Sequence, residues 1–123
     1  MASSGRSARR SKYGNVRTSC DGIQFDSLAE ARRYSELKLL EKAGIVRRLS
    51  CHPVYRFVVG TIDVGGYEAD FSYEERGAVR LDGIGWDTVV EDVKGVRTAV
   101  YRLKKKLMLA CHGIEIRETK GGR

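Results

Sequence analysis

Proline, tryptophan and cysteine are scarce in this chain of 123 residues, which contains one proline, one tryptophan and three cysteines. Because the cysteines are odd in number and lie far apart, at Cys20, Cys51 and Cys111, the sequence argues against a disulfide framework. No stretch approaches the roughly 20 apolar residues of a membrane span, and no apolar run follows the basic start as it does in a signal peptide. These absences predict a cytoplasmic protein with reduced thiols and no membrane partner.

Histidine is scarce as well, and each of its two copies follows a cysteine, in Cys51-His52 and Cys111-His112. Neighbouring side chains on an extended chain point to opposite faces, and the C-x-x-C spacing of common zinc sites does not occur. We therefore expect partly buried thiols at these positions and no zinc site.

The overall composition is that of a soluble globular protein, with 41% hydrophobic and 32% charged residues. A chain of this length has room for one hydrophobic core but not for two independent ones. We expect a flexible basic arm at residues 1–12, a single domain at residues 13–119 and a flexible tail at residues 120–123.

Positive charge is in excess, with a formal net charge of +7, and it is concentrated near the start. The first twenty residues contain no acid and five basic side chains, at Arg6, Arg9, Arg10, Lys12 and Arg17. Such an arm suits a polyanion, because each cation that neutralises a phosphate releases condensed counterions. A solvated tail that only aids solubility is the alternative.

Two segments have the spacing of amphipathic helices. In the first, Ser27 and Glu30 form a capping box that predicts a helix ending at Gly44. The second spans residues 98–113 and ends at a glycine. The predicted apolar positions are Leu28, Ala31, Tyr34 or Ser35, Leu39 and Ala43 in the first, and Val100, Leu103, Leu107 and Cys111 in the second.

Strands are predicted at residues 53–60, 65–75, 88–95 and 114–119. Within the second of these, the period of two places Tyr67, Ala69, Phe71 and Tyr73 on one face and Asp70 on the other. Residues 76–87 contain three glycines and predict a hairpin extension or a loop. The order helix, strands, helix, strand predicts an α/β fold with a mixed, mainly antiparallel central sheet flanked by helices.

Three of the charged residues on these predicted strands are candidates for a site, because a buried charge needs a partner. Asp92 and Lys94 share one face of their strand, and Asp70 lies on another strand. Carboxylates suit Mg²⁺, and the carbonyl of Val93 offers a further oxygen at the same edge. A neighbouring lysine can orient water or neutralise charge on a phosphoryl group. A solvated ion pair at a sheet edge has the same spacing, so this pattern alone leaves both interpretations open.

The second predicted helix is rich in cations, with Arg102, Lys104, Lys105 and Lys106 in close succession. A turn covered with positive charge suits a phosphate backbone, although a solvated helix face is the alternative. Thr98, Tyr101 and Lys105 are predicted to lie within reach of the strand that carries Lys94. The single tryptophan, Trp86, is more often a packing residue than a base-stacking one, and we leave it outside the site.

Several motifs occur in a fixed order: "FDSLAEARRYSELKLLEKAGIV", then "EADF", then "VVEDVKG". Together they resemble the PD-(D/E)xK nuclease superfamily, whose restriction-endonuclease-like fold has an αβββαβ core. More closely, residues 13–118 resemble a phage-encoded branch of small endonucleases, with a K-Y start, F-D-S-x-x-E, A-D-F, E-D-V-K-G and T-x-x-Y-x-x-K-x-K-L-M. Ala69 stands before Asp70 where the superfamily's name has proline, a common relaxation.

The resemblance implies a Mg²⁺-dependent endonuclease, with Mn²⁺ able to substitute, that hydrolyses DNA to leave a 5′-phosphate and a 3′-hydroxyl. It implies that Asp70 and Asp92 hold the metal, that Lys94 serves the attacking water, and that Glu30 completes the acidic cluster, to which the Val93 carbonyl adds the further oxygen inferred above. Capping of its own helix is a second explanation for Glu30, and the two roles are compatible.

The resemblance also implies a phage or prophage role in recombination, replication or packaging, in the host cytoplasm, on junctions or other branched DNA. One site per chain implies a homodimer where two strands are cut. Two other classes remain open: a non-catalytic DNA-binding module on the same fold, and a small basic structural protein of a phage.

Overall fold

The computed structural model describes residues 17–94 and 96–120. The predicted arm at residues 1–12, with Arg6, Arg9, Arg10 and Lys12, lies outside these described residues, as do the predicted domain start at residue 13 and most of the predicted tail. The described elements follow one another as β1 (Thr18–Cys20), β2 (Ile23–Phe25), α1 (Leu28–Lys42), β3 (Val46–Cys51), β4 (Val54–Val59), β5 (Ile62–Glu68), β6 (Phe71–Arg80), β7 (Gly83–Lys94), α2 (Ala99–His112) and β8 (Arg117–Lys120).

The central sheet has four strands in the order β3-β6-β7-β8. Strands β3, β6 and β7 pair in antiparallel fashion, whereas β7 and β8 pair in parallel, joined through α2. This confirms the predicted α/β class with a mixed central sheet and two helices, although the fold is richer in strand than the sequence suggested. Two small hairpins, β1-β2 and β4-β5, complete the described strands.

The two helices lie on opposite faces of the central sheet. Val89 and Val90 are neighbours on β7 and therefore point to opposite faces. Val89 packs in a cluster with α1, and Val90 packs in a cluster with α2 and the β4-β5 hairpin. The buried members of the α1 cluster are Phe25, Ala31, Tyr34, Leu37, Val46, Phe71, Tyr73 and Val89. Those of the α2 cluster are Phe57, Tyr67, Ala69, Val90, Tyr101, Met108 and Ile116.

Helix α1 begins where the sequence predicted, because the Ser27 hydroxyl accepts a hydrogen bond of 3.1 Å from the Glu30 backbone N–H. Its buried side chains are Ala31, Tyr34 and Leu37, which recur every three residues along one face. The predicted apolar positions Leu28 and Leu39 are wrong, since both side chains are exposed. Of the two options at the centre of the face, Tyr34 is buried and Ser35 is exposed.

Helix α2 is capped as predicted, with Thr98 at its start and Gly113 in the left-handed region at its end, at φ 67°. Its buried residues are Tyr101 and Met108, which lie two turns apart on one face. The predicted apolar positions Val100 and Leu103 are wrong, because both are exposed. Leu107 and Cys111 do contact the α2 cluster and are partly buried.

The segment predicted as one strand over residues 65–75 is two strands, separated at Ala69 and Asp70. The predicted common face is also wrong, because Tyr67 and Ala69 belong to the α2 cluster whereas Phe71 and Tyr73 belong to the α1 cluster. The chain leaves the β4-β5 hairpin at this break and enters the central sheet. The apolar residues of one alternating pattern therefore pack in two different hydrophobic clusters.

Strand β3 and the β1-β2 hairpin were not predicted. In β3 two consecutive arginines hide the period of two, and both pair with Glu74 of the neighbouring strand, Arg47 at 2.6 Å and Arg48 at 3.6 Å. The Arg47 guanidinium also lies 4.2 Å from the centroid of the Trp86 ring, so the tryptophan packs against a cation. Among the described residues, no helix is long and apolar enough to cross a membrane.

Residues 76–87 form the predicted hairpin extension, in which β6 turns into β7 at Leu81 and Asp82. The final strand begins at Arg117, later than the predicted residue 114, and it includes Lys120, which the sequence placed in the tail.

Candidate active site

Asp92 and Lys94 lie on the face of β7 that is covered by α2, as their spacing predicted. The Lys94 Nζ is 3.1 Å from Asp92 Oδ1 and 3.8 Å from the centroid of the Tyr101 ring. The second carboxylate oxygen of Asp92 accepts a hydrogen bond from the Tyr67 hydroxyl. Asp92 is only 4% exposed, so these two partners offset the cost of burying its charge.

Asp70 lies at the break between β5 and β6, where its backbone is tied to both neighbours. Its N–H donates to the Glu91 carbonyl at 3.2 Å, and its carbonyl accepts from the His52 N–H at 3.0 Å. Its side-chain Oδ2 accepts from the Val93 N–H at 2.7 Å. These bonds place the Asp70 carboxyl beside the Asp92-Val93-Lys94 segment, although the two aspartates are far apart in the sequence.

Burial is the main cause that raises the pKa of Asp70, to about 8. The negative charges of Glu30 and Asp92 raise it further, whereas the hydrogen bond from the Val93 N–H lowers it. A carboxyl group with such a pKa lies in a low-dielectric site that contains more negative than positive charge. Carboxyl groups with strongly raised pKa values are concentrated at functional sites.

Glu30 occupies the first turn of α1, and its Oε1 atom is buried without a hydrogen-bond partner among the described residues. Burial raises the pKa of Glu30 to about 7, and the charges of Asp26 and Asp92 add to the shift. The charge of Lys94 and a hydrogen bond from the Asp26 backbone N–H act in the opposite direction. Glu30 therefore both supports the start of its helix and presents an unsatisfied oxygen within the electrostatic reach of Asp92 and Lys94.

The donor set fits a hard divalent cation. Three carboxyl groups, at Glu30, Asp70 and Asp92, interact electrostatically, and a buried carboxylate oxygen without a partner is costly unless a cation or a donor satisfies it. Within residues 17–94 and 96–120, no group of three such side chains is already arranged around a common centre. Each oxygen of Asp92 has one partner, Tyr67 or Lys94, and each carboxylate oxygen has a second lone pair that could bind a cation.

The predicted role of the Val93 carbonyl stays a prediction. Val93 contributes its N–H to Asp70, and its side chain packs against the α1 cluster on the opposite face of β7. In the sequence, Val93 nonetheless lies between Asp92 and Lys94.

A second polar network lies behind the site, and the sequence patterns did not reveal it. Glu91 is fully buried on the α1 face of β7. Its carboxylate accepts from Arg33 Nε at 2.7 Å and Nη2 at 3.0 Å, from the Tyr73 hydroxyl at 2.6 Å and from the Thr119 hydroxyl at 3.0 Å. Arg33 lies one turn after Glu30, so this bidentate ion pair fixes the start of α1 against β7.

The signal for this network was weak in the sequence. Glu91 interrupts an apolar strand, which indicates a paired acid. Its partner Arg33 is 58 residues away and is one of three arginine or lysine side chains near the middle of α1, at Arg32, Arg33 and Lys38. Nothing in the spacing distinguishes Arg33 from the other two.

The residues predicted to bind nucleic acid on α2 divide into two groups. Thr98 caps the helix by accepting from the Tyr101 N–H at 3.0 Å. Tyr101 is buried and donates to Glu118 at 2.7 Å, and Lys105 lies 3.0 Å from the same carboxylate. Tyr101 and Lys105 therefore face β8, whereas Thr98 is exposed at the start of the helix.

The other predicted cations of α2 are Arg102, Lys104 and Lys106, and none of them forms an ion pair within the described part of the chain. Arg102 and Lys106 are exposed, and Lys104 is half-buried. Glu118 holds a different pair of cations, Arg97 and Lys105, whose hydrogen bonds help to hold the pKa of that carboxyl at about 2. The cations of α2 that are available to bind an anionic ligand therefore lie on its exposed side.

Comparison with protein families gives one match. Residues 10–120 match the model of a family described as "Protein of unknown function (DUF1064)". No curated protein and no solved structure matches the chain.

Proposed function

The chain belongs to the DUF1064 family, whose description assigns no activity, and we propose that it is a metal-dependent DNA endonuclease that hydrolyses phosphodiester bonds. One observation carries the proposal: Glu30, Asp70 and Asp92 lie within electrostatic reach of one another and of Lys94, with the Oε1 atom of Glu30 buried and unsatisfied among the described residues. Three acids and a lysine in one region of the fold suit the hydrolysis of a phosphate ester by a cation-activated water.

The topology supports the proposal. With the small hairpins set aside, the elements of the central sheet and its helices occur in the order α1, β3, β6, β7, α2, β8. This is the order of the αβββαβ core that the sequence motifs implied, with the β4-β5 hairpin inserted after the first sheet strand. Asp70 then precedes the second of these strands, and Asp92 and Lys94 end the third.

Each residue of the site has a definable task. Asp70, Asp92 and Glu30 would hold Mg²⁺, or Mn²⁺ in its place, with the Val93 carbonyl as the remaining proposed ligand. A divalent cation supplies positive charge to phosphate oxygens and lowers the pKa of an attacking water. Lys94 would neutralise charge that develops on the phosphoryl group and orient that water.

Two neighbouring groups position these side chains. The Tyr67 hydroxyl fixes one oxygen of Asp92, and the Val93 N–H fixes one oxygen of Asp70. Because both donors belong to packed strands, the carboxylates are held in place before substrate arrives, which reduces the reorganisation that the reaction requires. The exposed cations Arg102 and Lys106 would contact the DNA backbone.

The substrate that we propose is junction or branched DNA of a phage or prophage, cut during recombination, replication or packaging, with a homodimer acting where two strands are cleaved. The test is incubation of the full chain with labelled branched, nicked and linear DNAs in Mg²⁺ and in Mn²⁺. Cleavage that EDTA abolishes is the expected result, and the pattern of products reports the preferred geometry.

A non-catalytic DNA-binding module is the second candidate. It is favoured by the one observation that the three carboxylates are not already grouped around a common centre within the described residues. Binding of the same DNAs without cleavage in either metal would support this candidate and refute the endonuclease.

A further inference from the structure

A cavity of about 630 Å³ opens next to Lys94, at the edge of the acidic cluster. Four of the side chains that line it are cationic, whereas a single carboxylate lines it, and they come from β7, the connection to α2, α2 itself and β8. These charged residues are Lys94, Arg97, Arg102, Lys120 and Glu118. We call this set the cationic pocket. It adjoins the acidic cluster because the Lys94 Nζ is 3.1 Å from Asp92.

The one carboxylate of the cationic pocket is already satisfied. Glu118 accepts from Arg97 at 2.8 Å, from the Tyr101 hydroxyl at 2.7 Å and from Lys105 at 3.0 Å. By contrast, Arg102 and Lys120 form no ion pair with any residue in the described ranges. Lys94 and Arg97 have carboxylate partners, so two of the four cations of the pocket are not neutralised by the described part of the chain.

The pairing of β7 with β8 brings two of the positive charges of the pocket side by side. In the parallel register of the two strands, Lys94 lies directly beside Lys120, as Asp92 lies beside Glu118. Cross-strand neighbours in register point to the same face of the sheet, and like charges at such positions repel each other. Asp92 offsets only the Lys94 side of this pair. An anion in the pocket would remove the repulsion and would face the two arginines as well.

We propose that the cationic pocket binds a phosphate group of the DNA strand that neighbours the phosphate undergoing hydrolysis. This proposal rests on the proposed endonuclease function. It adds a contact to phosphate beyond those of the lysines on α2. Arginine presents a planar fork to phosphate oxygens, and lysine presents a compact charge. The shared Lys94 places the bound phosphate directly next to the acidic cluster, so the pocket would fix the register of the strand across the metal ligands.

The test compares two double variants that each remove two exposed cations. Arg102→Gln with Lys120→Gln removes the two unpaired cations of the pocket. Lys38→Gln with Lys42→Gln removes two exposed cations from the C-terminal half of α1 and serves as the control. Melting temperatures of both variants establish that each is folded. Binding of a labelled branched DNA is measured by fluorescence anisotropy in EDTA over a series of salt concentrations.

We expect the pocket variant to lose at least about tenfold in affinity and its slope of log K against log salt to fall by about 0.7 to 0.9, the value for one lost phosphate contact. The control variant should keep the parent slope. In Mg²⁺ the pocket variant should show a raised KM, because a contact to a phosphate that does not react contributes to the binding of substrate.

The outcomes separate this pocket from the endonuclease activity. If the parent cleaves no DNA in either metal but the pocket variant still loses affinity and slope, the endonuclease is refuted and the phosphate site stands. If the parent cleaves DNA and the pocket variant matches the control in affinity, slope and KM, the phosphate site is refuted and the endonuclease stands. Failure of the parent to bind DNA at low salt would refute both.

Discussion

Replacing Asp70 with asparagine should change the pH dependence of stability in a way that reports directly on the acidic cluster. In the absence of metal, burial and the charges of Glu30 and Asp92 raise the pKa of Asp70 to about 8, far above the value of about 3.9 for an unfolded chain. Between these two values the folded state binds a proton that the unfolded state has released. Stability is therefore greatest near the lower value and declines as the pH rises towards 8.

The size of the effect follows from one proton. A difference of one bound proton changes the free energy of unfolding by about 1.4 kcal/mol per pH unit. From pH 5 to pH 7, this difference in proton binding would thus lower the free energy of unfolding by up to about 3 kcal/mol. For a domain of this size each kcal/mol lowers the melting temperature by roughly 4 °C, so the parent should lose up to about 12 °C through this group. In the variant, the amide oxygen of the new side chain can still accept from the Val93 N–H, so the fold is retained.

The assay is thermal unfolding in EDTA from pH 5 to pH 8, for the parent, Asp70→Asn and the control Asp63→Asn. Asp63 is exposed, and the hydrogen bond from Arg56 lowers the pKa of its carboxyl, so the control should follow the parent throughout this range. Asp70→Asn should have the flatter profile. If the profiles of the parent and Asp70→Asn had equal slopes, the pKa of Asp70 would be ordinary. The clustering of acidic side chains around Asp70 would then be refuted.

The same samples test the metal. A cation that binds only the folded state at 100 times its Kd stabilises by about 2.7 kcal/mol, and it should bind best at pH 8, where fewer protons compete with it for the Asp70 carboxylate. Asp70→Asn should gain little from Mg²⁺ at any pH. An equal gain in the variant and the parent would exclude Asp70 as a ligand.

Three further substitutions divide the site by role. Asp92→Asn should lower cleavage by at least about 100-fold, roughly 2.7 kcal/mol in the barrier, while DNA binding in EDTA is retained; activity within tenfold of the parent would contradict a ligand role. Glu30→Gln keeps a hydrogen-bonding group in the first turn of α1, so it should melt near the parent temperature yet lose about tenfold or more in rate; full activity at saturating Mg²⁺ would leave Glu30 with its capping role alone. Glu91→Gln removes the buried ionic partner of Arg33 and leaves only the exposed Glu36, so it should destabilise by about 3 to 5 kcal/mol, whereas removing the exposed partner in Glu36→Gln should cost less than about 1 kcal/mol. Denaturant unfolding measures both changes, and equal effects would refute the anchoring role of Glu91.

Local signals in the sequence correctly predicted the two helices and the shared face of Asp92 and Lys94. The hydroxyl of Ser27 and the glycine at Gly113 mark helix ends by chemistry that acts within a few residues. The shared face of Asp92 and Lys94 follows from strand geometry alone. These features need no knowledge of distant parts of the chain.

Features that depend on distant partners were not predictable in the same way. Strand β3 contains two adjacent arginines, which break the alternation of apolar and polar residues. They are accommodated because Glu74 lies on the neighbouring strand. The ion pair between Arg33 and Glu91 joins residues that are far apart in the chain. The alternation from Tyr67 to Tyr73 is unbroken, yet the chain changes cores within it, because a period of two specifies a face and not the partner that covers it.

The position of Asp70 between the two hydrophobic clusters has a consequence for how the protein opens. The residue before it, Ala69, is buried in the α2 cluster, and the residue after it, Phe71, is buried in the α1 cluster. A cation held by Asp70, Asp92 and Glu30 would therefore cross-link the two halves of the domain that pack around these clusters. Amide hydrogen exchange should then become more uniform when metal is added, with protection rising together in β4-β5 and in α1, since neither half can open without releasing the ion.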